Sequence, residues 1–510
     1  LLDFENREGL FDGVHRSYKF CLLTLSGAPV EKADFIFFAT NTGHLRDPLR
    51  RFSLSPQEIA RFNPNTRTMP VFRTRPDADL TRMIYERVPV LDNEGTDENP
   101  WGIKFSTMFH MSNNSNLFVT EPGPDDVRLY EAKMFWHYDH RWATFERGDS
   151  RDVPEEEKKE PNFIVHPRYW VSRTEVESRL KDWPHQWLIG YRNITNATNE
   201  RSLVTSMMPK VGVGNSSPII FPGNNISVSK VICFIGTCSS LALDFVCRNK
   251  IGGTNFNFFI LKQISILHSA IFNNEQVEFI LPRLFELIYT ADDLSVLANE
   301  MGFHGPPFRW KETRRELLRA ELDAYYARLY GLNRKQLRYI LDPNDLTPKE
   351  LEDILDPWEE VADPLDLECY EQRAAASTFP GETFRVLKEK EIKKYGEYRT
   401  RRLVLEAWER MQEAIDSGTE YVPMVDPPPA HPSMAHPWPD GTPYEGPGLV
   451  LDESMFKEEK PKPKPAAKKS FEIHEPQPEL PIDYKPEPIN WDLYKCKGCG
   501  QILAGFARYE

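Results

Sequence analysis

No stretch of this chain is long and apolar enough to cross a bilayer. The longest apolar run, residues 231–247, is 17 residues long and includes Asp244, short of the ~20 uncharged residues that a span requires. Cysteine is scarce as well: seven residues at positions 21, 233, 238, 247, 369, 496 and 499, an odd and scattered set that suits no disulfide framework and points to a reducing cytoplasm. Nothing at the front reads as a secretory signal. The chain opens on Leu1, inside a strand-like segment, so the expectation is a fragment whose front end is missing. No internal repeat recurs at a fixed period. A nucleotide loop is missing too, because Lys210-Val-Gly-Val-Gly214 has a G-x-G but no third glycine and no helix-forming sequence after it.

What is present is bulk. The 510 residues are 40% hydrophobic and 27% charged, enough for about three or four domains of ~100–200 residues. The net charge of −14 argues at first against a nucleic-acid partner, but the charge is unevenly spread. Residues 342–371 hold twelve acids and one lysine, −11 by themselves, which leaves −3 for the rest. Residues 161–274 hold eleven Lys/Arg against five Asp/Glu, a local +6 of the kind phosphate contacts require. The alternative is a solvated mixed surface.

Proline marks a boundary: 17 of the 42 lie in residues 421–490, which read as a linker. Its middle, Lys457 to Ser470, mixes Pro with alternating charge and cannot bury enough apolar surface to fold. Upstream, Phe20–Leu25 and Asp34–Phe38 read as two buried strands about a Gly27–Pro29 turn. Ser55-Pro-Gln-Glu58 is a capping box for a short helix. Residues 163–275, rich in Val, Ile, Phe, Thr, Asn and Gly, suggest a β-rich domain. From Lys311 the pattern turns helical, with Leu318, Leu322, Tyr325 and Leu329 on one face and Gly331 as the stop. A second helix is predicted over 397–416. The expected class is therefore α+β.

Three motifs bear on chemistry. Cys496-Lys-Gly-Cys499-Gly500 supplies two thiolates that could point at one tetrahedral zinc ion. A structural site needs four ligands, so an incomplete zinc site stands beside an unmetallated turn or a redox pair, with Cys369 and His474 as further ligands to test. Gly305-Pro-Pro-Phe308 has the outline of an amino-methyltransferase tetrapeptide, but Gly305 has no side chain to accept from an amine, so it reads as a turn. Met134-Phe-Trp-His-Tyr-Asp-His-Arg-Trp142 and His166-Pro-Arg-Tyr-Trp170 interleave aromatic and basic residues. Such faces stack on bases or grip phosphates, or form an aromatic core with His140 and Arg141 at its rim.

The strings Phe4-Glu-Asn-Arg-Glu-Gly9, Asn63-Pro-Asn-Thr-Arg-Thr-Met-Pro-Val-Phe72, residues 129–146, Ile189-Gly-Tyr-Arg-Asn193, Phe245-Val-Cys-Arg-Asn-Lys-Ile-Gly-Gly-Thr254, Leu261-Lys-Gln263, Gly305–Trp310 and Tyr395-Gly-Glu-Tyr-Arg-Thr400 resemble the region downstream of the catalytic core in large bacterial adenine-specific DNA methyltransferases. These are the type IIG restriction–modification enzymes and the related methylases of DISARM- and BREX-like phage defence. The resemblance covers roughly residues 1–410. It departs at Ile264-Ser-Ile-Leu-His268, where relatives read a Leu-Pro-Val-Leu-Pro-Pro-like string. The glycine loop for S-adenosylmethionine and the Asn-Pro-Pro-Tyr-type motif of the family are absent from this sequence.

The resemblance implies the tail of an α/β methyltransferase domain with a helical insertion over 1–150, a target-recognition domain over 161–275, a mainly helical region over 276–420, the linker over 421–490 and a zinc-knuckle-like module over 491–510. It implies a parent enzyme that uses S-adenosylmethionine to methylate adenine in double-stranded DNA at a specific site, with this chain inactive by itself. Arg192, Arg201, Arg248, Lys250 and Lys262 would meet phosphates, and Asn193, Asn199, Thr254, Asn255 or Gln263 would be available to base edges. Gly252 and Gly253 would let the backbone approach DNA closely. Cys496 and Cys499 would be the metal ligands. The alternative is a stand-alone DNA-binding or scaffold protein of a defence complex, assembling with other defence subunits through the acidic segment and the knuckle. Neither reading involves a membrane.

Overall fold

The computed structural model describes residues 1–451. They belong to a compact unit spanning Leu1–Glu459; the second unit, Lys460–Glu510, lies outside the described residues together with Cys496, Cys499 and His474. The described part is α+β, with fifteen α-helices and several small sheets.

The first sheet has the order β2-β1-β3-β4 (Lys19–Leu22, Leu2–Glu5, Ala33–Ala39, Phe52–Leu54). Strands form near both predicted stretches but do not pair; β1 lies between them, parallel to β3 and antiparallel to β2. The buried reading of 20–25 is corrected: β2 spans only Lys19–Leu22 and is an exposed edge strand, with Leu22, Leu23 and Leu25 open to solvent. The helix Pro56–Phe62 follows with the predicted box: Ser55 Oγ accepts from the Glu58 N–H at 3.2 Å, and the Glu58 carboxylate accepts from the Ser55 N–H at 2.7 Å, satisfying two helix-end donors.

The next two sheets draw strands from both sides of residue 161. β5 (Lys104–Ser106) closes the order β12-β11-β14-β5, in which β11 is Trp187–Tyr191, β12 Thr205–Pro209 and β14 Ile219–Phe221. β6 (Phe118–Val119) and β7 (Asp126–Tyr130) join β10 (Tyr169–Ser172) and β13 (Gly212–Val213) in the order β13-β7-β10-β6. A hairpin of β8 (Ala143–Glu146) and β9 (Asp149–Asp152) completes the strands. Residues 161–275 therefore share their sheets with residues 104–130.

They also hold more helix than their composition predicts. The apolar run forms two helices, Val228–Ser239 and Leu241–Arg248, bent by 56° at Ser240, and its apolar side chains are buried. A run that is buried all round shows no periodicity, so length and caps decide its form. Ser227 accepts from the Lys230 N–H and Ser240 from the Leu243 N–H. Among the described residues no single helix is long and apolar enough to cross a membrane.

The predicted C-terminal helices are Glu312–Leu329 and Arg399–Ser417, packed against each other. One hydrophobic core runs from Phe35 to Met434. The first part of the proline-rich stretch belongs to it. Tyr421 donates to Glu321 at 2.6 Å, the Met424 N–H to the same carboxylate at 2.7 Å and the Ala430 N–H to Glu286 at 2.8 Å, while Val425, Ala430, Met434 and Ala435 are buried. The linker boundary at 421 is thus corrected: residues 421–436 are a strap, held because it satisfies two buried carboxylates. The residues 457–470 expected to be unfolded lie outside the described part.

The acidic segment is turned inward only in part: Asp342, Asp345 and Glu350 are buried, while Glu352, Asp353, Asp363, Asp366, Glu368 and Glu371 are exposed. Asp345 meets Arg338 at 3.0 Å and Arg373 and Arg401 at 2.7 Å each; Arg338 also meets Glu350 at 2.6 Å, and Lys388 meets Asp342 at 2.6 Å. Four of the twelve acids, Asp342, Asp345, Glu350 and Glu360, are thus met by cations from outside the segment.

Candidate nucleic-acid interface

The residues expected to touch DNA fall into two groups. Residues 192–199 and 252–257 pair with each other: the Thr195 N–H donates to the Thr254 carbonyl at 3.0 Å, the Phe256 N–H to the Asn193 carbonyl at 2.7 Å, and Ile194 bridges Asn255. Together they form a lip at the surface. Thr198, Asn199, Gly252, Gly253, Thr254 and Asn255 are exposed on it, as are Ile194 (66%) and Phe259 (53%). A side chain added at Gly252 or Gly253 would meet nothing within 4 Å, so the backbone there is open to a large partner.

The cations behave differently. Arg248 donates to Asp244 at 2.8 Å and to the carbonyls of Ala197 at 2.9 Å and of Asn199, Glu200 and Thr383 at 2.7 Å each. It holds the 197–200 loop from beneath. Arg201 donates to the Ser239 carbonyl at 2.5 Å and lies 3.5 Å from Asp244. Arg192 donates to the Phe135 carbonyl at 3.1 Å through Nε and sits 4.7 Å over the Trp136 ring; burial brings its guanidinium down to about 10. Lys250 donates to the Phe62 carbonyl and, at 2.7 Å, to Asn63 Oδ1; burial pulls its ammonium well below the ordinary lysine range. The assignment of these four to phosphates at the lip is corrected, because all four turn inward from it, Arg201 with its Nε unmatched. Lys262 lies nearer the surface, but it pairs with Glu94 at 2.6 Å and Asp92 at 3.1 Å.

Gln263 is also corrected. It is 2% exposed, its oxygen accepts from the N–H groups of Asn65 at 3.0 Å and Thr66 at 3.1 Å, and its amide donates to the Phe259 carbonyl at 2.8 Å. It fastens the 261–263 turn to the 63–66 loop and has no edge left for a base. Asn193 is half-buried, and its side-chain oxygen has no hydrogen-bond partner.

Two lysines outside the +6 stretch are exposed near these sheets. Lys104, on the face of β5 opposite Phe105, lines a separate cleft with Arg179, Asp182 and Asn224 and lies away from the lip. Lys133 is exposed where its carbonyl comes near Arg192, at 3.5 Å. Neither forms an ion pair among the described residues. No count along residues 161–274 finds them, because both precede that stretch.

The aromatic-basic string 134–142 is a core element with its tryptophans at the rim. Arg141, expected at the rim, is fully buried and donates to the carbonyls of Glu160, Lys158 and Thr290. Trp136 and Trp142 stack at 5.3 Å and edge a cleft of about 270 Å³ against helices 312–329, 385–395 and 399–417.

Among the described residues no group of three or more His, Cys, Asp or Glu could hold a metal ion; the knuckle cysteines lie outside them. Gly212 of the G-x-G string is buried on β13, where a Cβ would meet Val171 at 2.5 Å and Leu129 at 3.1 Å, so it serves sheet packing and not a cofactor cradle. No protein-family profile and no curated protein matches this chain.

Proposed function

We propose that this chain is the DNA-recognition portion of a site-specific, S-adenosylmethionine-dependent adenine methyltransferase of a restriction–modification or phage-defence system. The exposed lip formed by residues 192–199 and 252–257 carries the reading, together with the ordered string of motif resemblances. Modification of an adenine amine requires extruding the base from the duplex while a separate surface grips its neighbours. The lip offers uncharged donors and acceptors, Thr198, Asn199, Thr254 and Asn255, on a backbone unobstructed at Gly252–Gly253. Such groups read base edges in a groove. Lys133 replaces the buried arginines as the phosphate contact of this reading. Arg248 and Asp244 act through the lip by holding its loop.

The test is duplex binding by the whole chain across a salt series. Affinity should fall linearly in log–log form, by about 0.9 per phosphate neutralised. Salt-independent binding, or none at low salt, sinks the reading. Calorimetry with S-adenosylmethionine should show no binding, since the chain lacks the cofactor motifs.

A further inference from the structure

The cleft beside the tryptophans has a feature that the DNA reading does not use. His137 is 5% exposed, lines both this cleft and a neighbouring one of about 260 Å³, and neither of its ring nitrogens has a hydrogen-bond partner. A buried imidazole leaving both nitrogens unmatched costs stability, and here it faces open space that a ligand could fill.

The chemistry of the walls selects the ligand. A planar base would need a free aromatic face, and those faces are occupied: Trp136 and Trp142 cover each other, Arg192 lies 4.7 Å over Trp136, and Lys158 lies 4.6 Å over Trp142. What remains are N–H donors. Arg201 and Arg319 line the cleft, with Lys394 exposed at its mouth. The acids around them are largely matched: Glu312 pairs with Arg319 at 2.9 Å, Glu316 with Arg399 at 3.3 Å and with the Tyr395 hydroxyl at 2.6 Å, and Glu200 with Lys390. Glu391 accepts from the Thr400 hydroxyl and N–H. Asp323 accepts from the Leu241 N–H and is pushed up to about 6 by burial.

We propose that this cleft binds an oxyanion of the phosphate class, held by His137, Arg201 and Arg319 with Lys394 at the entrance. Burial, together with Arg201, Arg192 and Arg319, keeps the empty imidazole neutral, well below its ordinary range. An arriving anion reverses the local field, so His137 takes up a proton and both nitrogens become donors. The source of the phosphate is either a small phosphorylated molecule or the backbone of bound DNA, whose lip continues into the cleft wall through residues 199–201.

The probe is inorganic phosphate, titrated into the whole chain at constant ionic strength and followed through the histidine Cε1 resonances, with His137 assigned by His137→Gln. Phosphate should move the His137 signal saturably to the imidazolium position, while chloride at equal ionic strength should not. Arg319→Gln should weaken binding about tenfold or more, the scale of one charged hydrogen bond. Lys394→Gln, at an exposed position that folding does not need, should weaken it less. Circular dichroism on each variant separates lost binding from lost folding. If duplex DNA displaces phosphate, the backbone is the source; if both bind together, a small phosphate is. A His137 signal unmoved through the millimolar range, or affinity unchanged in both Arg319→Gln and Lys394→Gln, overturns the proposal whether or not the lip binds DNA.

Discussion

Lys158 Nζ meets Asp139 Oδ2 at 2.7 Å with both side chains buried, and the same ammonium sits 4.6 Å from the ring of Trp142 and 4.8 Å from that of Trp310. One cation thus ties the 134–142 string to the turn before helix 312–329. Burial pushes the Asp139 carboxyl up, but Lys158 outweighs it and holds the group below its ordinary value. Removing the lysine leaves an uncompensated buried carboxylate. Lys158→Met should destabilise the fold by ~3–5 kcal/mol and shift tryptophan emission, read together in a urea titration. Because the folded pKa is depressed, the stability of the intact pair is present above pH ~3.8 and is lost as pH falls below it. The variant should show a shallower acid limb, and equal acid limbs would refute the coupling.

Lys250 gives the opposite case for a base. Its ammonium is pulled down by burial, so the unfolded chain binds the extra proton between the folded value and the ordinary 10.5. Stability should therefore rise with pH through that window. Lys250→Met should flatten the rise. It also strands the Phe62 carbonyl and Asn63 Oδ1, at ~1–3 kcal/mol whatever the lysine's protonation, so the slope and not the midpoint is diagnostic. Melting temperatures of both proteins between pH 7 and 10 measure it.

Local patterns were legible and long-range ones were not. The Ser55 box, the strands near 20 and 34 and the helices at 312 and 399 follow from spacing within a few residues. The helix pair 228–248 was misread as part of a β-rich stretch because burial on all sides erases periodicity. The phosphate cations were misread for a related reason. A positive count along residues 161–274 cannot reveal that Asp244 and five carbonyls, four of them within 197–239, take up the guanidiniums of Arg201 and Arg248. Gly252 and Gly253, expected as a point of close backbone approach, have open space around them.

The strap makes its own prediction. Glu321 accepts from Tyr421 and the Met424 N–H while pairing with Arg283 at 3.0 Å, and Glu286 accepts from the Ala430 N–H while pairing with Arg314 at 2.5 Å. Tyr421→Phe deletes one bond to a buried carboxylate and should cost ~1.5–3 kcal/mol. Val422→Ala on the same segment, a 73% exposed position, should cost under ~0.5 kcal/mol. Equal urea midpoints for the two variants would mean that residues 421–436 merely lie against the helices.

The lip predicts a separation of binding from folding. Gly253 has open space around it, so Gly253→Val should leave the melting temperature nearly unchanged while weakening duplex binding, if the backbone approaches DNA there. Lys133→Ala should lower affinity alike on all sequences and reduce the salt slope by about one. Asn255→Ala should instead alter which sequences are preferred, by ~1–3 kcal/mol for a good pair. Arg248→Ala should do none of these cleanly: it strands Asp244 and four carbonyls, so the fold and the lip fail together. Fluorescence anisotropy with randomised and fixed duplexes, run beside thermal melts, separates the classes. Should Gly253→Val and Lys133→Ala bind like the parent at every salt concentration, the lip is an ordinary loop and the DNA surface lies elsewhere.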